Sequence, residues 1–314
     1  MRGASAGRAA AALLVALAVP AAAAGQGRAA AALDLIEQHP ASEEAAPAAL
    51  ALGHRWILDG EWVAGAGLLQ QSLELATRSG QEEVARAARS RLAAVDRLLL
   101  RPAAGRERWP SARWLATRQV ELGRPVGVAA RGDGDLVVVD EGRDQVVRIA
   151  LGDGSERARP VRKARRAVFT PEGEVLVIDR DGGAARLGGG PVGWPPTGLR
   201  DTVDVAAGPS GGWLGLTAAG QVVRLADDGS GREPVKLDGA PRATALDVDP
   251  LGNLYLLDED AQRVVVFDRL GERIAVIGPR LPGGLELKRP EDLAVDDSGR
   301  LYVADRRQGV AVLE

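Results

Sequence analysis

Acid–base and metal chemistry at neutral pH draws mostly on histidine and cysteine, and this chain of 314 residues has 2 histidines and no cysteine. His39 and His54 both lie early in the chain, so everything after residue 54 lacks an imidazole to serve as base or ligand. The missing cysteines remove thiolate metal sites, disulfide staples, a cysteine nucleophile and lipid attachment at a lipobox cysteine. Gly3-Ala-Ser-Ala-Gly7 and Gly208-Pro-Ser-Gly-Gly212 match the Gly-x-Ser-x-Gly spacing, but the first precedes the apolar run 9–19 and the second has no helical pattern after it, so neither reads as the strand-to-helix elbow of a serine hydrolase. Gly188-Gly-Gly-Pro191 is followed by neither Lys-Ser/Thr nor a helical pattern, so it reads as a loop and not a phosphate cradle. Asp258-Glu259-Asp260 and Asp296-Asp297 carry the oxygen ligands that calcium takes, and read more simply as solvated turn acids. The run Arg157, Arg159, Arg162, Lys163, Arg165 and Arg166 forms either a docking patch for an anionic polymer or acidic partner, or a solvated outer strand and loop. These residues nominate no catalytic residue, no cofactor and no metal ligand, and leave the binding residues unassigned.

Such a chain still has to fold. Apolar residues make up 46% and charged residues 26%, which fits a packed globular protein, and the length favours two domains. The formal net charge of -3, with both signs interspersed, lacks the broad basic footprint of a nucleic-acid binder. Arg2 and Arg8, the apolar run 9–19 and Ala22-Ala23-Ala24 have the order of a signal peptide cut after Ala24, with a retained anchor as the other reading. No later stretch is apolar enough to cross a membrane. A periplasmic or secreted location follows from that segment.

Residues 28–100 are rich in Ala, Leu, Glu and Arg and predict helices near 43–58 and 61–77, separated at Asp59-Gly60, and another from Val84. Val84, Ala88, Leu92, Val95 and Leu99 step by three or four residues and define one apolar face. Leu52-Gly53, Trp56, Gly65 and Leu69 fall at the spacing that interlocks two helices. On these residues, 46–79 resembles a tetratricopeptide repeat, with Ser72 where Ala is usual and Thr77 where Pro is usual. Trp56 and Trp62 are expected to fill the helical core.

After a linker at 101–112, the vocabulary changes to Val, Leu, Gly and Asp in strand-length runs. Gly134–Asp140, Gly173–Asp179, Gly211–Thr217, Gly252–Asp258 and Gly299–Asp305 are copies of one unit. Their first glycines lie 39, 38, 41 and 47 residues apart, close to one four-stranded propeller blade. A strand precedes each glycine and another follows each terminal Asp. The glycine supplies positive φ at a tight turn, and Asp140, Asp179, Asp258 and Asp305 act as turn fasteners, with Thr217 in the weakest copy. The last copy ends after its third strand, so residues 114–122 are expected to supply its outer strand as a circular clasp. Arg289-Pro-Glu-Asp-Leu-Ala-Val through Leu301-Tyr-Val-Ala-Asp305 and Leu246 through Phe267 resemble NHL repeats.

The fold expected is therefore multidomain α and β: a signal segment at 1–24, a tetratricopeptide-like helical hairpin stack at 28–100, and an all-β propeller at 113–314. Five blades are counted and six are possible, with a divergent one near 188–210. These resemblances imply an exported, non-enzymatic binding or scaffold protein that presents propeller and helical-repeat surfaces to a protein, peptide or glycan partner in the cell envelope. The alternative is a calcium-dependent hydrolase or lactonase, which would need acids converging on the central channel. With no histidine in the propeller and Asn253 the only asparagine, the sequence shows no such set, and the centre is expected to be free of reactive groups. Nucleic acid and a membrane span are not expected, and the sequence assigns no oligomeric state.

Overall fold

The computed structural model describes residues 22–117, 119–132, 134–170, 173–180, 184–189, 191–192, 202–209, 211–225 and 231–314. The expected targeting segment lies almost wholly outside them. The chain forms two compact units, Met1–Leu100 and Arg101–Glu314.

Among the described residues, the first unit has four α-helices: α1 Ala22–Gln38, α2 Ala45–Asp59, α3 Trp62–Ser79 and α4 Glu82–Val95. Gly60 ends α2 in the left-handed conformation, as its position after Asp59 predicts. A Cβ on Gly53 would sit 2.8 Å from the Gly65 carbonyl oxygen, and one on Gly65 would sit 2.7 Å from the Gly53 carbonyl oxygen. These two glycines therefore set how closely α2 and α3 approach. Ser72 has a use in place of the expected Ala: its buried hydroxyl donates to the Ala46 carbonyl at 2.8 Å, tying α3 to α2. On α4, Val84, Ala88 and Val95 are buried as their spacing predicts. A π-helical turn at Asp96–Leu100 then inserts a residue, so Leu98 takes the buried position expected of Leu99. Trp62 corrects an expectation. It opens α3, before the turn that packs on α2, and is 47% exposed, while Trp56 is half-buried.

The second unit is a propeller of five four-stranded sheets. A short strand, β1 (Ala112–Trp114), comes first in the chain and belongs to the last blade. Blade 1 holds β2 Pro125–Arg131, β3 Asp135–Asp140, β4 Gln145–Ala150 and β5 Ser155–Pro160. Blade 2 holds β6 Ala164–Phe169, β7 Val175–Asp179, β8 Ala184–Arg186 and β9 Pro191–Val192. In blade 3 these are β10 Thr202–Ala207, β11 Trp213–Thr217, β12 Val222–Leu225 and β13 Glu233–Pro234. Blade 4 runs β14 Ala245–Val248, β15 Leu254–Asp258, β16 Arg263–Phe267 and β17 Arg273–Ile277. Blade 5 runs β18 Pro290–Val295, β19 Leu301–Asp305 and β20 Gly309–Leu313. The stretch considered for a sixth blade carries β9 and β10, which belong to blades 2 and 3.

The first strands β2, β6, β10, β14 and β18 contact one another in cyclic order and so surround the axis. Alternating apolar side chains fill the space between sheets: Val137, Val139 and Val146 of blade 1 pack with Ala167, Phe169 and Val177 of blade 2. The five repeat glycines Gly134, Gly173, Gly211, Gly252 and Gly299 all have positive φ, between 75° and 95°, which is the turn requirement the repeat encodes. The terminal acids do more than fasten the following turn. Asp140 accepts from Gly142 N–H at 3.1 Å and also from Gly123 and Arg124 N–H at 2.9 and 2.7 Å, holding the entry to β2. Asp305 does the same for Lys288 and Arg289 at 2.6 and 2.9 Å.

The clasp exists, a few residues earlier than expected. β1 pairs antiparallel with β20 (Ala112 with Leu313, Trp114 with Ala311), and Leu115 N–H donates to Val310 O at 2.7 Å. The described residues between 115 and 124 do not extend it, because this segment must carry the chain from the outer edge of blade 5 to the axis, about 14 Å at three strand spacings. Within the stretch expected as a linker, Trp109 is buried, donates its indole N–H to Gly299 O at 2.9 Å and meets Tyr255 edge-on at 6.1 Å. It thus bridges blades 4 and 5 beside the clasp. Trp109→Ala is expected to cost about 3–5 kcal/mol, the cost of emptying a buried aromatic site. In differential scanning calorimetry this lowers the propeller transition by roughly 10 °C; an unchanged transition would show that the ring closes without it.

Candidate functional site

One position in each blade faces the axis, and the register identifies it. Gly127 pairs with Val139, Arg166 with Ile178, Asp204 with Leu216, Ala245 with Leu257 and Asp292 with Ala304. Each lies 13 residues before the end of its repeat (140 − 127, 179 − 166, 217 − 204, 258 − 245, 305 − 292). The ring therefore reads Gly, Arg, Asp, Ala, Asp. Asp247, two residues beyond Ala245 on β14, adds a third carboxyl along the axis.

Arg166 organises this ring from blade 2. Its Nη1 donates to Asp292 Oδ1 at 2.6 Å and lies 3.4 Å from Asp204 Oδ2. Its Nη2 donates to Thr244 O at 2.7 Å and its Nε to Val203 O at 3.1 Å. The carboxylates pass the connection on: Asp292 accepts from Val128 N–H at 2.9 Å, Asp204 from Leu246 N–H at 2.7 Å and Asp247 from Val295 N–H at 2.7 Å. All five blades are joined through these contacts. Gly127 leaves the room they need, since a Cβ there would sit 2.8 Å from Arg165 O.

Asp204, Asp292 and Arg166 are buried at the axis, and Asp247 is half-buried beside them. Burial pushes Asp247 up to about 8, against the pull of its two backbone N–H donors. Asp204 and Asp292 are also pushed upward by burial, which outweighs the opposing effect of Arg166. Burial alone would discharge Arg166, but the facing Asp204 and Asp292 carboxylates raise its pKa and keep it protonated. The expectation of a centre free of reactive groups is thus corrected. The acids lie 43 (247 − 204) and 45 (292 − 247) residues apart in the chain, and only the ring geometry brings them together.

At the mouth of the channel lies a second charge layer. Glu291, almost fully buried, accepts from Arg306 Nη1 at 3.3 Å and pairs with Arg165 Nη1 and Arg289 Nε at 3.1 and 3.2 Å. Glu141 pairs with Arg180 and Arg306. Arg165 and Glu291 are the extra residues of β-bulges, where the pairing slips between Ala164 and Arg166 and between Pro290 and Asp292. A bulge re-aims a side chain, and here it turns the first of two adjacent charged residues to the rim while the second enters the axis.

The groups singled out in the sequence scatter. Arg157 and Arg159 are exposed on β5, Arg162 and Lys163 lie on a turn, Arg165 is on the rim and Arg166 is at the axis, so the run is not one patch. Asp258 accepts from Ala261 N–H and Arg263, and Asp296 from Ser298, Arg300 N–H and Tyr302, as turn acids. Among the described residues, no group of three or more His, Asp or Glu side chains is placed to hold a metal ion. Nor is any helix among them long and apolar enough to cross a membrane. Gly188 and Gly189 form a turn after β8, and His39 and His54 stay in the helical unit.

The NHL repeat matches residues 287–311, which contain β18 and β19. No curated protein matches the chain in sequence. Among solved structures, a streptogramin B lyase is similar at 12% identity over 60% of this chain and 64% of that one, with a TM-score of 0.34. A catalytically inactive virginiamycin B lyase from Staphylococcus aureus with quinupristin is similar at 13% identity over 65% of this chain and 74% of that one, with a TM-score of 0.35. The chain spans less than two thirds of the length of the streptogramin B lyase.

The axial acids make stability depend on pH with a definite sign. Their folded pKa values lie above the ordinary carboxyl value near ~3.9, so the folded state binds more protons than the unfolded one. This contribution is complete below that value and is lost as pH rises through about 8, where Asp247 ionises. Thermal melts between pH 5 and 9 (roughly the window set by these values) should therefore show a falling propeller midpoint. Asp247→Asn should flatten the slope, and Arg166→Met, which leaves buried carboxylates unpaired, should steepen it and cost about 3–5 kcal/mol at neutral pH. A midpoint that rises across this range would contradict the assignment.

Proposed function

We propose that this chain is an exported, non-enzymatic binding protein, acting in the periplasm or outside the cell and presenting its surfaces to a protein, peptide or glycan partner of the envelope. The observation that carries this reading is the state of the channel centre. Arg166 is taken up by acceptors from blades 3, 4 and 5, and the axial acids are shared with it and with backbone amides of blades 1, 4 and 5. A centre committed to holding blades together leaves recognition to the surfaces. Residues 1–24 support export, and the interlocked helices with tetratricopeptide-like spacing support a second surface for contact.

One observation favours the second reading, a calcium-dependent hydrolase: Asp204, Asp247 and Asp292 do converge on the channel. Calcium takes about six to eight oxygens, so Arg166 would have to leave and further ligands would have to enter. Two measurements separate the readings. The purified chain lacking residues 1–24 should be retained saturably by cell-envelope fractions and displaced by its own unlabelled form. Excess calcium should move the propeller midpoint by less than about 1 °C. A calcium shift of several degrees that disappears in Asp292→Asn, together with no envelope retention, would replace the binding reading with the hydrolase.

A further inference from the structure

We infer that the arginine rim at the channel mouth is the binding surface, and that it takes an acidic peptide segment laid across blades 5, 1 and 2. This rests on the binding reading above and names its ligand class. The rim sets four guanidinium groups against two carboxylates, Glu141 and Glu291, and so carries an excess of two positive charges (4 − 2). The acids are the buried members: the Glu291 side chain is 4% exposed and that of Glu141 9%, while Arg180 and Arg289 are 51% and 48% exposed. Solvent therefore meets the cations.

Each guanidinium has five N–H donors in a planar fork matched to carboxylate oxygens. Arg165, Arg180 and Arg289 are each ion-paired with one of the buried glutamates, and Arg306 donates to both. The glutamates thus hold the side chains in place before a ligand arrives and leave outward donors, which lowers the ordering cost of binding. Arg124 and Arg307, both exposed, lie close by: the Arg124 carbonyl accepts from Glu141 N–H at 3.0 Å, and Arg307 shares a turn with Arg306.

A peptide fits this surface better than the other polyanions. Binding single-stranded nucleic acid needs aromatic platforms for the bases. Among the described residues of the propeller, Trp109, Trp213, Tyr255, Tyr302, Phe169 and Phe267 are all buried. Trp114 lies on the outer strand of blade 5, away from the axis. Asp and Glu side chains, in contrast, need only the guanidinium forks present.

The test uses the chain lacking residues 1–24 and a fluorescein-labelled Glu/Asp decapeptide read by anisotropy at low salt. The expected result is saturable binding that salt weakens and that falls by at least about tenfold in Arg180→Ala/Arg289→Ala, two exposed positions whose loss leaves the axis intact. Arg157→Ala/Arg159→Ala, on the outer strand of blade 1, should bind as the unaltered chain does. Absence of peptide binding, equal affinity in the Arg180/Arg289 variant, or tighter binding of an oligothymidylate or of anionic vesicles would overturn the assignment. Envelope retention of the unaltered chain, measured alongside, separates the two levels. If it persists where the peptide fails, the rim assignment falls and the binding reading stands; if it too is absent, both fall.

Discussion

A ring of sheets must end where it began, and in this propeller that constraint falls on one three-residue strand. β20 would otherwise present unpaired N–H and C=O groups at the edge of blade 5, and β1 covers them from the N-terminal side. Because β1 precedes all the other strands and β20 follows them, the blade closes only when both ends of the propeller are present. Ser111 and Glu314 bond to each other through their backbones at the very end of this ladder, so the pairing runs to the last residue. Trp109 places an aromatic plug beside it, between blades 4 and 5. The ten residues that follow β1 then have to reach the axis before the repeats can start.

At the axis the problem is different. Apolar burial between sheets does not say which blade stands opposite which, since the strands repeat one vocabulary. Buried ion pairs add little net stability, because desolvation offsets their attraction, but they penalise wrong neighbours heavily. Arg166 reaches Asp204 in the next blade and Asp292 two blades away across the centre, and only a five-membered ring of this order satisfies both. Gly127 and Ala245, small at the same position, make room for the crossing guanidinium. The hub is thus better understood as a register device than as a source of stability.

The repeat was easy to read because each of its marks has a single physical cause. Positive φ at Gly134 or Gly299 admits few other residues, the closing Asp is needed to cap the next turn, and alternating Val and Leu are needed between sheets. The start of the outer clasp was less legible, since nothing in 101–124 distinguishes a strand from the connection that follows it; the answer depends on how far the chain must travel. The helical unit was legible in its glycines and misread at Trp62, where amphipathic spacing says nothing about a residue at the first position of a helix. The axial site was missed because it has no local signature. Asp204, Asp247 and Asp292 sit in different repeats beside ordinary strand residues. Counting 13 residues back from each repeat end would have aligned Gly127, Arg166, Asp204, Ala245 and Asp292 as one ring and exposed the opposite charges.

The bulges explain how one strand serves both layers of charge. In a regular strand, neighbouring residues point to opposite faces, so two consecutive charged residues could not both be satisfied near the axis without one entering the apolar space between blades. The slip after Ala164 releases Arg165 to Glu291 and lets Arg166 enter the ring, and the slip after Pro290 does the same for Glu291 and Asp292. Blade 3 uses its bulge differently: Val203 contributes only its carbonyl, which accepts from Arg166. In blade 4 the first two strands pair without a slip, and the axial position is Ala245. The two blades that supply a charged residue to each layer are therefore the two whose bulges carry one, and the rim is cationic on that side because Arg180, Arg289 and Arg306 gather around the same pair of strands.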